Sequence, residues 1–342
     1  MKVGIVGLGK MGLLHTGILN TIPDIQIVSM AEKDSIVRKH IAKAIPNVKV
    51  YDDYNEMLAK DKADVIFITT PSNTHLPIMS SCIKNNINFF VEKPMTKDLT
   101  DAKQVCSELK NSNIINSVGY NGRFIATFSK AKSLLDSNIL SEILNVKSSM
   151  FVSRIFSKPS GWRYKKKISG GGVLLEFGCH LIDILLWYFG KIDKVEGNTR
   201  RVYSEVEDFA NMKMQFENNI SGELETSWSV PGYRMPEINV EITGTNGTMR
   251  VNEDFIDVKL KKISSDFPNS EFRVYKQELE SSVPFDVGGI EFTKEDLQLI
   301  ECIKNKKEPL VNVFEASKTQ SVIQSMYDAD SKKKSQMVEY ID

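Results

Sequence analysis

The feature that most constrains the fold of this chain is a glycine pattern that follows its first apolar run. Residues 2–6 are patterned as a strand and residues 11–20 as a helix, and Gly7, Gly9 and Gly12 lie between and within them with the spacing G-x-G-x-x-G. In that context the first glycine permits a tight turn, the second lets the backbone approach a pyrophosphate, and the third lets the helix pack on the strand. The helix N-terminus adds free N–H groups for phosphate oxygens. These features predict a dinucleotide site at Gly7, Gly9, Lys10, Met11 and Gly12.

An acidic residue stands where the second strand of such a fold would end. Glu32 follows the apolar run 25–30, about 20 residues beyond Gly12, at the distance typical of the acid that binds the adenosine ribose. A carboxylate there accepts hydrogen bonds from both ribose hydroxyls and repels a 2′-phosphate, so NAD is predicted in preference to NADP. Lys33, included in the predicted cofactor site, and Arg38 lie close by and weaken that preference.

The order of apolar runs indicates the fold class. Up to residue 118, short apolar runs alternate with helical patterns, which is typical of βαβ units around a parallel sheet. From about residue 194 to 261, short alternating runs separated by turn pairs favour an antiparallel sheet. The predicted class is α/β, with an N-terminal Rossmann dinucleotide-binding domain and a C-terminal α+β domain whose sheet is mostly antiparallel and open-faced.

The predicted domain boundary lies where the pattern changes. Residues 1–121 are assigned to the Rossmann domain and residues 122–342 to the substrate-binding and oligomerisation domain. Residues 252–282 are interpreted as outer strands and loops, and a last helix at about 314–329 is expected to pack back toward the Rossmann domain.

Composition argues against several classes of protein. The 44 Lys and Arg residues balance 44 Asp and Glu residues, so no overall basic bias favours nucleic acid. The cysteines are widely spaced without a C-x-x-C pair, which argues against a disulfide framework and a metal site. The chain opens directly on a strand pattern, unlike a signal peptide, and no uninterrupted apolar run reaches the roughly 18 residues of a membrane span. A cytoplasmic protein without membrane, nucleic-acid or metal partners is expected.

Three further motifs follow in order. Thr69 to His75 follows the fourth predicted strand, Glu92-Lys93-Pro94 follows the fifth, and Gly170 to Asp183 forms a glycine triplet leading into an apolar helix. With the glycine loop, they make the whole chain resemble the glucose-fructose oxidoreductase, inositol dehydrogenase and MocA family. The resemblance implies an NAD-dependent dehydrogenase of a sugar, cyclic polyol or sugar derivative. It also points to a cis Lys93–Pro94 peptide bond.

The loops after the fourth and fifth strands open at the carboxyl ends of the predicted parallel sheet, where open α/β sheets bind their ligands. Lys93 is therefore expected to point toward the substrate and to hydrogen-bond its oxygen. The predicted cofactor contacts from these loops and the domain junction are Thr70, Pro71, Asn73, His75, Glu92, Lys93 and Asn121. His75 is open to two interpretations, cofactor or substrate contact and simple loop hydrogen bonding.

The apolar helix carries a polar stripe. Glu176, His180 and Asp183 stand at i, i+4 and i+7, which places them on one helical face. Oxidation of a secondary alcohol requires a base for the hydroxyl proton, and histidine suits that role because its unperturbed pKa lies near neutrality. His180 is predicted as the base, Glu176 as the group that orients or charge-balances it, and Asp183 as a ligand for substrate hydroxyls. Trp162, Arg163 and Tyr120 complete the predicted substrate site.

Several points stay open. The resemblance implies aspartate at position 176, so the longer glutamate leaves both the role of that carboxylate and the substrate class undecided. The glycine run 170–172 is expected to let the helix N-terminus approach the cofactor or substrate. His15 is expected to be structural or merely near the cofactor, and His40 to lie on the surface.

Two other functions use the same scaffold. A non-catalytic NAD-binding regulator would need the glycine loop but not Lys93, Glu176 and His180, and an NAD-dependent glycosidase would need an acid pair that spacing does not identify. The resemblance also implies a homodimer or homotetramer that pairs through the open face of the second sheet. Trp228, Val230 and Ile242 are apolar candidates for that face, although the sequence does not assign the side of the sheet on which each lies.

Overall fold

The computed structural model describes residues 1–265, 267–279, 282–283 and 285–341. Its strands are β1 (Lys2–Val6), β2 (Gln26–Ala31), β3 (Lys49–Tyr51), β4 (Val65–Ile68), β5 (Asn88–Val91), β6 (Asn116–Val118), β7 (Ile143–Phe151), β8 (Ile192–Arg200), β9 (Phe209–Phe216), β10 (Ser221–Ser227), β11 (Glu237–Gly244), β12 (Gly247–Asn252), β13 (Phe255–Leu260), β14 (Glu271–Tyr275) and β15 (Gln336–Met337). Its helices are α1 (Lys10–Thr21), α2 (Ser35–Ala44), α3 (Tyr54–Lys60), α4 (His75–Lys84), α5 (Leu99–Leu109), α6 (Ala126–Asp136), α7 (Lys166–Ser169), α8 (Cys179–Phe189), α9 (Lys276–Leu279), α10 (Ile290–Asn305) and α11 (Val313–Lys332).

The chain folds into two compact units. The first contains residues 1–121 and 282–317, and the second contains residues 122–281 and 318–342. The prediction of one C-terminal domain over residues 122–342 was therefore wrong for residues 282–317. The physical reason is the apolar face of α10, whose Leu299 and Ile300 join the hydrophobic core of the first unit. Within the stretch interpreted as outer strands and loops, the structure forms β13, β14 and α9, while residues 266, 280 and 281 lie outside the described residues.

The first unit is built on a six-stranded sheet in the order β3-β2-β1-β4-β5-β6, with every neighbouring pair parallel. The prediction of a Rossmann sheet is confirmed. Strand order reverses between β1 and β4, and at such a switch point the carboxyl ends of the strands open a crevice for a dinucleotide. The loops after β1, β4 and β5, which carry the three N-terminal motifs, all leave the sheet at that edge.

The second unit is built on a nine-stranded sheet in the order β14-β13-β12-β11-β7-β10-β9-β8-β15. The prediction of a mostly antiparallel sheet is confirmed, since only β7 and β10 pair in parallel among the strands described. Burial alternates along the strands, so one face packs inward and the other is exposed. Two of the apolar candidates for the open face, Trp228 and Ile242, do not lie on it, because both side chains are fully buried. Val230 is partly exposed.

The exposed face carries a row of charges that alternate in sign. Neighbouring strands place these residues opposite one another in register from β8 to β14. In sheet order the row is Glu196, Lys213, Glu223, Lys147, Glu241, Arg250, Asp257 and Arg273. Opposite charges that face each other across neighbouring strands stabilise a sheet, whereas like charges destabilise it. Arg273 and Asp257, at the end of the row, form a two-pronged ion pair.

One stretch of the second unit, Lys166–Phe189, is long and apolar enough by length and composition to cross a membrane, although 78% of its most apolar window is buried inside the protein. Such burial is typical of a core helix. The sequence prediction found no such span, because Glu176, His180 and Asp183 interrupt the apolar run.

Candidate active site

The glycine loop of the first unit has the local geometry that its sequence predicts. Gly7 has φ +92°, and a Cβ there would lie 2.7 Å from Thr70 Cγ2. A Cβ on Gly12 would lie 2.0 Å from the carbonyl oxygen of Gly7, so only glycine lets α1 pack this closely. A Cβ on Gly9, by contrast, would meet no neighbouring atom within 4 Å, and the loop is exposed there. Gly7 and Gly12 thus serve the protein's own packing, and the open space at Gly9 fits the pyrophosphate of a dinucleotide.

These different surroundings predict different outcomes for two similar substitutions. Gly9 has φ −71°, which alanine adopts readily, so Gly9→Ala is expected to leave the melting temperature unchanged and to weaken NAD binding at least about tenfold by occupying the phosphate space. Gly12→Ala must displace the Gly7 carbonyl and is expected to lower the melting temperature by several degrees. Calorimetry of both variants, with and without NAD, makes the comparison. Unchanged NAD affinity in Gly9→Ala would exclude this loop as the phosphate site.

Glu32 directs its carboxylate at the glycine loop. Its Oε2 accepts a hydrogen bond from the Leu8 N–H at 2.6 Å, and its Oε1 accepts one from the Asp34 N–H at 2.9 Å. Arg38 donates through Nη1 to the carbonyl oxygens of Glu32 and Lys33, at 2.8 and 2.7 Å. The negative charge therefore lies beside the loop that receives the phosphates, which favours a ribose diol and disfavours a 2′-phosphate.

The loop after β4 is tied to two other loops. Thr69 Oγ1 donates to the carbonyl oxygen of Gly7 at 2.6 Å. His75 is buried, with Nε2 2.8 Å from the Thr70 carbonyl oxygen and Nδ1 3.0 Å from the Pro94 carbonyl oxygen. Burial lowers the pKa of His75. His75 therefore makes the loop hydrogen bonds that were one of its two interpretations, and its contact with the cofactor stays a prediction.

The loop after β5 begins with the Glu92-Lys93-Pro94 motif. The Lys93–Pro94 peptide bond is cis, and Lys93 is partly exposed between buried Glu92 and Pro94. The Glu92 carboxylate turns inward, where Oε2 accepts from the Lys93 N–H at 3.1 Å and Oε1 lies 3.2 Å from His15 Nε2. The structure therefore gives Glu92 a role inside the protein instead of the predicted contact with the cofactor.

The remaining predicted residues of the first unit differ in exposure. Tyr120 is completely buried, which does not support its predicted contact with substrate. The exposed cofactor candidates are Lys10, Lys33 and Asn73, and the partly exposed ones are Met11, Thr70, Pro71 and Asn121.

In the second unit, the apolar helix presents two of its three polar residues. A π-helical turn, Leu174–Gly178, runs directly into α8. From Gly171 to Leu186, a stretch that the structure describes in full, only Glu176 and His180 are partly exposed. π-helical turns occur frequently at functional sites. The π-helical turn therefore points to the same segment as the exposed Glu176 and His180 do.

Asp183 has a different environment from the one predicted. Its side chain is 1% exposed, and its carboxylate forms a two-pronged ion pair with Arg123, at 2.9 Å from Nε to Oδ2 and 2.8 Å from Nη2 to Oδ1. Arg123 is itself buried. The prediction that Asp183 binds substrate hydroxyls is corrected, because the carboxylate is enclosed and committed to a guanidinium.

Glu176 is paired with one of the residues predicted to bind substrate. Arg163 Nε donates to Glu176 Oε1 at 3.0 Å, and the guanidinium stacks over the ring of Trp162, 4.6 Å from its centroid. Arg163 and Trp162 are both partly exposed. The structure thus brings Trp162, Arg163 and Glu176 together in a chain of contacts, in which the guanidinium partly neutralises the carboxylate.

The glycine run before the helix serves the protein's own packing. A Cβ on Gly171 would lie 2.1 Å from the Tyr327 hydroxyl, and one on Gly172 would lie 2.2 Å from the Glu207 carbonyl oxygen. The buried Glu207 carboxylate accepts from the Gly172 N–H at 2.8 Å and from the Tyr327 hydroxyl at 2.8 Å. The expectation that these glycines make room for a ligand is corrected for Gly171 and Gly172.

Sequence reasoning missed the buried partners in both units. Arg123, Glu207 and Asp296 contact Asp183, Gly172 and His15, and Tyr327 contacts Glu207. Each lies far along the chain from the residue that it contacts. The signal that could have found them was weak: each is a polar side chain within or beside an apolar segment, and such groups need a partner when buried. Within the described part of the chain, no group of three or more His, Cys, Asp or Glu side chains could hold a metal ion.

Comparisons with known proteins agree with this architecture. Residues 1–120 match the family model described as the oxidoreductase family, NAD-binding Rossmann fold, and residues 128–250 match the GFO/IDH/MocA C-terminal domain. The chain is 24% identical over 336 residues to scyllo-inositol 2-dehydrogenase (NAD(+)) of Bacillus subtilis (strain 168), covering 93% of this chain and 90% of that protein. It is 23% identical over 304 residues to levoglucosan dehydrogenase of Pseudarthrobacter phenanthrenivorans, covering 78% and 77%. A solved levoglucosan dehydrogenase in complex with NADH has the same fold, with a TM-score of 0.89, 20% identity and complete coverage of both chains.

Proposed function

Since the chain belongs to the GFO/IDH/MocA family of NAD-binding oxidoreductases, we propose that it oxidises a secondary hydroxyl of a sugar, a cyclic polyol or a sugar derivative. The relatives named as inositol and levoglucosan dehydrogenases support this class of substrate. The observation that carries the proposal is the exposure of Glu176 and His180 alone along an otherwise buried segment, Gly171 to Leu186, that the structure describes in full.

The first unit has the residues to hold the cofactor. The open space at Gly9 and the free N–H groups at the start of α1 receive the pyrophosphate, and the Glu32 carboxylate receives the adenosine ribose. When bound, NAD takes up the hydrogen and the two electrons that leave the carbinol carbon of the substrate. The remaining proton, on the hydroxyl oxygen, is handled by the protein.

We assign that proton to His180. Proton transfer by a positioned base typically contributes about 10²–10⁴-fold to the rate, and histidine titrates in the range where it can both accept and release a proton. Glu176 lies one turn earlier on the same face and supplies negative charge for the imidazolium that forms. The contact between Arg163 and Glu176 limits that charge and fixes the direction of the carboxylate.

Lys93 is assigned to the substrate oxygen. An ammonium group that donates a hydrogen bond there stabilises the negative charge that develops as the proton leaves. Trp162 and Arg163 are assigned to the substrate as well, because their stacked planes are partly exposed beside Glu176. Asp183 and Tyr120 are left out of the assignment, since both side chains are buried.

A panel experiment tests the proposed function. NADH formation is followed at about 340 nm with inositols, free sugars, anhydrosugars, sugar phosphates and nucleotide sugars. Turnover on at least one polyhydroxylated substrate, and none on simple alcohols, is expected. Tight NAD binding without turnover on the whole panel would contradict the proposal and favour a regulatory protein, whereas release of a glycosidic aglycone without net NADH would favour a glycosidase.

We propose further that two copies of the chain pair through the exposed face of the second sheet. The row of alternating charges has four residues on each side of the boundary between β7 and β11. A two-fold axis that runs parallel to the strands at that boundary places the row of one copy opposite the row of the other copy in reverse order. Every charge then meets its opposite, with Lys147 against the partner's Glu241. Self-complementarity of this kind is what a two-fold interface requires.

Charge reversal in the middle of the row tests the pairing. Lys147→Glu creates a run of three acidic residues on each copy and is expected to weaken association at least about 100-fold, because two-fold symmetry repeats the repulsion. The double variant Lys147→Glu with Glu241→Lys restores the central pairs and is expected to associate again. Sedimentation velocity across protein concentrations measures both and separates a dimer from a tetramer. Lys84→Glu, on α4, is the control, and equal masses for all variants would contradict the interface.

A further inference from the structure

In the first unit, three buried ionisable residues form a chain of contacts that ends at the backbone of Lys93. His15 on α1 has Nδ1 2.9 Å from Asp296 Oδ1 and Nε2 3.2 Å from Glu92 Oε1. The imidazole is completely buried, Asp296 on α10 is completely buried, and Glu92 is nearly so. The second oxygen of Glu92 accepts the backbone N–H of Lys93 at 3.1 Å. An unbroken series of polar contacts therefore links α10 and α1 to the backbone of Lys93.

The chain is charged rather than neutral. Both ring nitrogens of His15 face carboxylate oxygens, and each needs a proton to donate. Burial opposes the positive charge, but Asp296 and Glu92 outweigh it and hold the pKa of His15 well above its ordinary value. Three aromatic rings surround the imidazolium, those of Phe67, Phe90 and Phe292, with centroids 4.8 to 6.4 Å away. The imidazolium is thus enclosed by protein groups, and its side chain is 0% exposed.

Core stability alone does not account for this arrangement. Burying charges is expensive, and well-packed apolar residues often replace a buried ion pair without loss of stability. The charges instead fix the orientation of the Glu92 carboxylate. The imidazolium fixes one oxygen of Glu92, which leaves the other aimed at the Lys93 amide. Buried polar networks that are satisfied at every member hold their groups in one geometry.

From this geometry we infer that His15 and Asp296 are positioning residues, which act through Glu92 to hold Lys93 in place for the reaction. The inference rests on the proposed role of Lys93 at the substrate oxygen. His15 lies on α1, the helix that begins at the glycine loop. The helix that is assigned to the cofactor phosphates therefore also holds the loop that carries Lys93.

Two substitutions break the chain at different links. His15→Gln removes the positive charge, and Asp296→Asn removes the carboxylate that orients it. Either is expected to lower kcat by about 10- to 100-fold, since small displacements of a catalytic group have effects of this size. The NAD dissociation constant, measured by titration, is expected to change less than about twofold, since none of His15, Glu92 and Asp296 is assigned to the cofactor. Leu19→Ala, on the same helix and equally buried, is the control for lost packing. It is expected to lower the melting temperature but not kcat.

A double-mutant cycle with Lys93→Met identifies the route of the effect. If His15 acts through Lys93, His15→Gln changes kcat little once Lys93 is methionine, because the group that it positions is absent. If the loss of kcat in the double variant equals the product of the losses in His15→Gln and Lys93→Met, the inference is overturned. A loss of kcat in Leu19→Ala as large as that in His15→Gln would also overturn it. If Lys93→Met alone leaves kcat unchanged, it is the proposed role of Lys93 that fails. Nitrogen-15 NMR of the histidine ring tests the charge without turnover. His15 is expected to stay doubly protonated well above the pH at which an unperturbed histidine loses its proton, and to lose that state in Asp296→Asn.

Discussion

Replacing His180 with alanine is expected to lower kcat by about 10²–10⁴-fold while NAD still binds with unchanged affinity. The magnitude is that of a general base, and it applies because removal of the hydroxyl proton must accompany loss of hydrogen from carbon. His180 is partly exposed within a buried helix, so truncation removes the reacting group with little disturbance of the core. Steady-state kinetics on the substrate found in the panel, with NAD binding measured separately, gives the result.

Matched controls make the comparison specific. His40 is an exposed histidine on α2 with no assigned function, and His40→Ala is expected to leave kcat unchanged. Lys93→Met is expected to lower kcat by a comparable factor through loss of the charge on the developing oxyanion, while Lys62→Met, at an exposed lysine, does not. A His180→Ala enzyme that retains full turnover would show that another group takes the proton. Loss of NAD binding in the same variant would show instead that His180 is needed for the cofactor.

The sequence was sufficient to predict the fold because its signals are local. A strand, a glycine turn and a helix within the first 21 residues define a dinucleotide-binding unit, and period-two alternation after about residue 194 defines the second sheet. The misassigned segment, residues 282–317, contains α10. Its place in the first unit depends on which apolar surface α10 meets, and periodicity does not carry that information.

The site was predictable only as far as side chains face outward. Helical spacing put Glu176, His180 and Asp183 on one face, but it treated them alike, and a buried guanidinium distinguishes the third from the others. The same limit applies to His75 and Glu92, which lie in the predicted loops but turn toward the protein. The orientations of Asp183 and Glu92 depend on contacts with residues 60 and 77 positions away, which no local pattern records. The orientation of His75 depends on backbone oxygens 5 to 20 positions away.

Removal of the guanidinium partner of Asp183 is expected to destabilise the second unit strongly. Arg123→Met leaves a carboxylate buried without its cation, which typically costs about 3–5 kcal/mol of unfolding free energy. All three tryptophans, Trp162, Trp187 and Trp228, belong to this unit, so their fluorescence during urea unfolding reports on it separately from the first. The exposed pair of Arg273 and Asp257 is the control, where Arg273→Met is expected to cost no more than about 1 kcal/mol.

The double variant decides between a structural and a substrate-binding role for Asp183. Replacing both partners with apolar residues, Arg123→Met with Asp183→Leu, removes the stranded charge and is expected to recover most of the lost free energy. A structural pair requires this recovery, and it requires that Asp183→Asn lower stability rather than raise KM. If Asp183→Asn instead raised KM and left the unfolding curve in place, the carboxylate would reach substrate after all. The arrangement seen here would then be a closed state that opens when substrate binds.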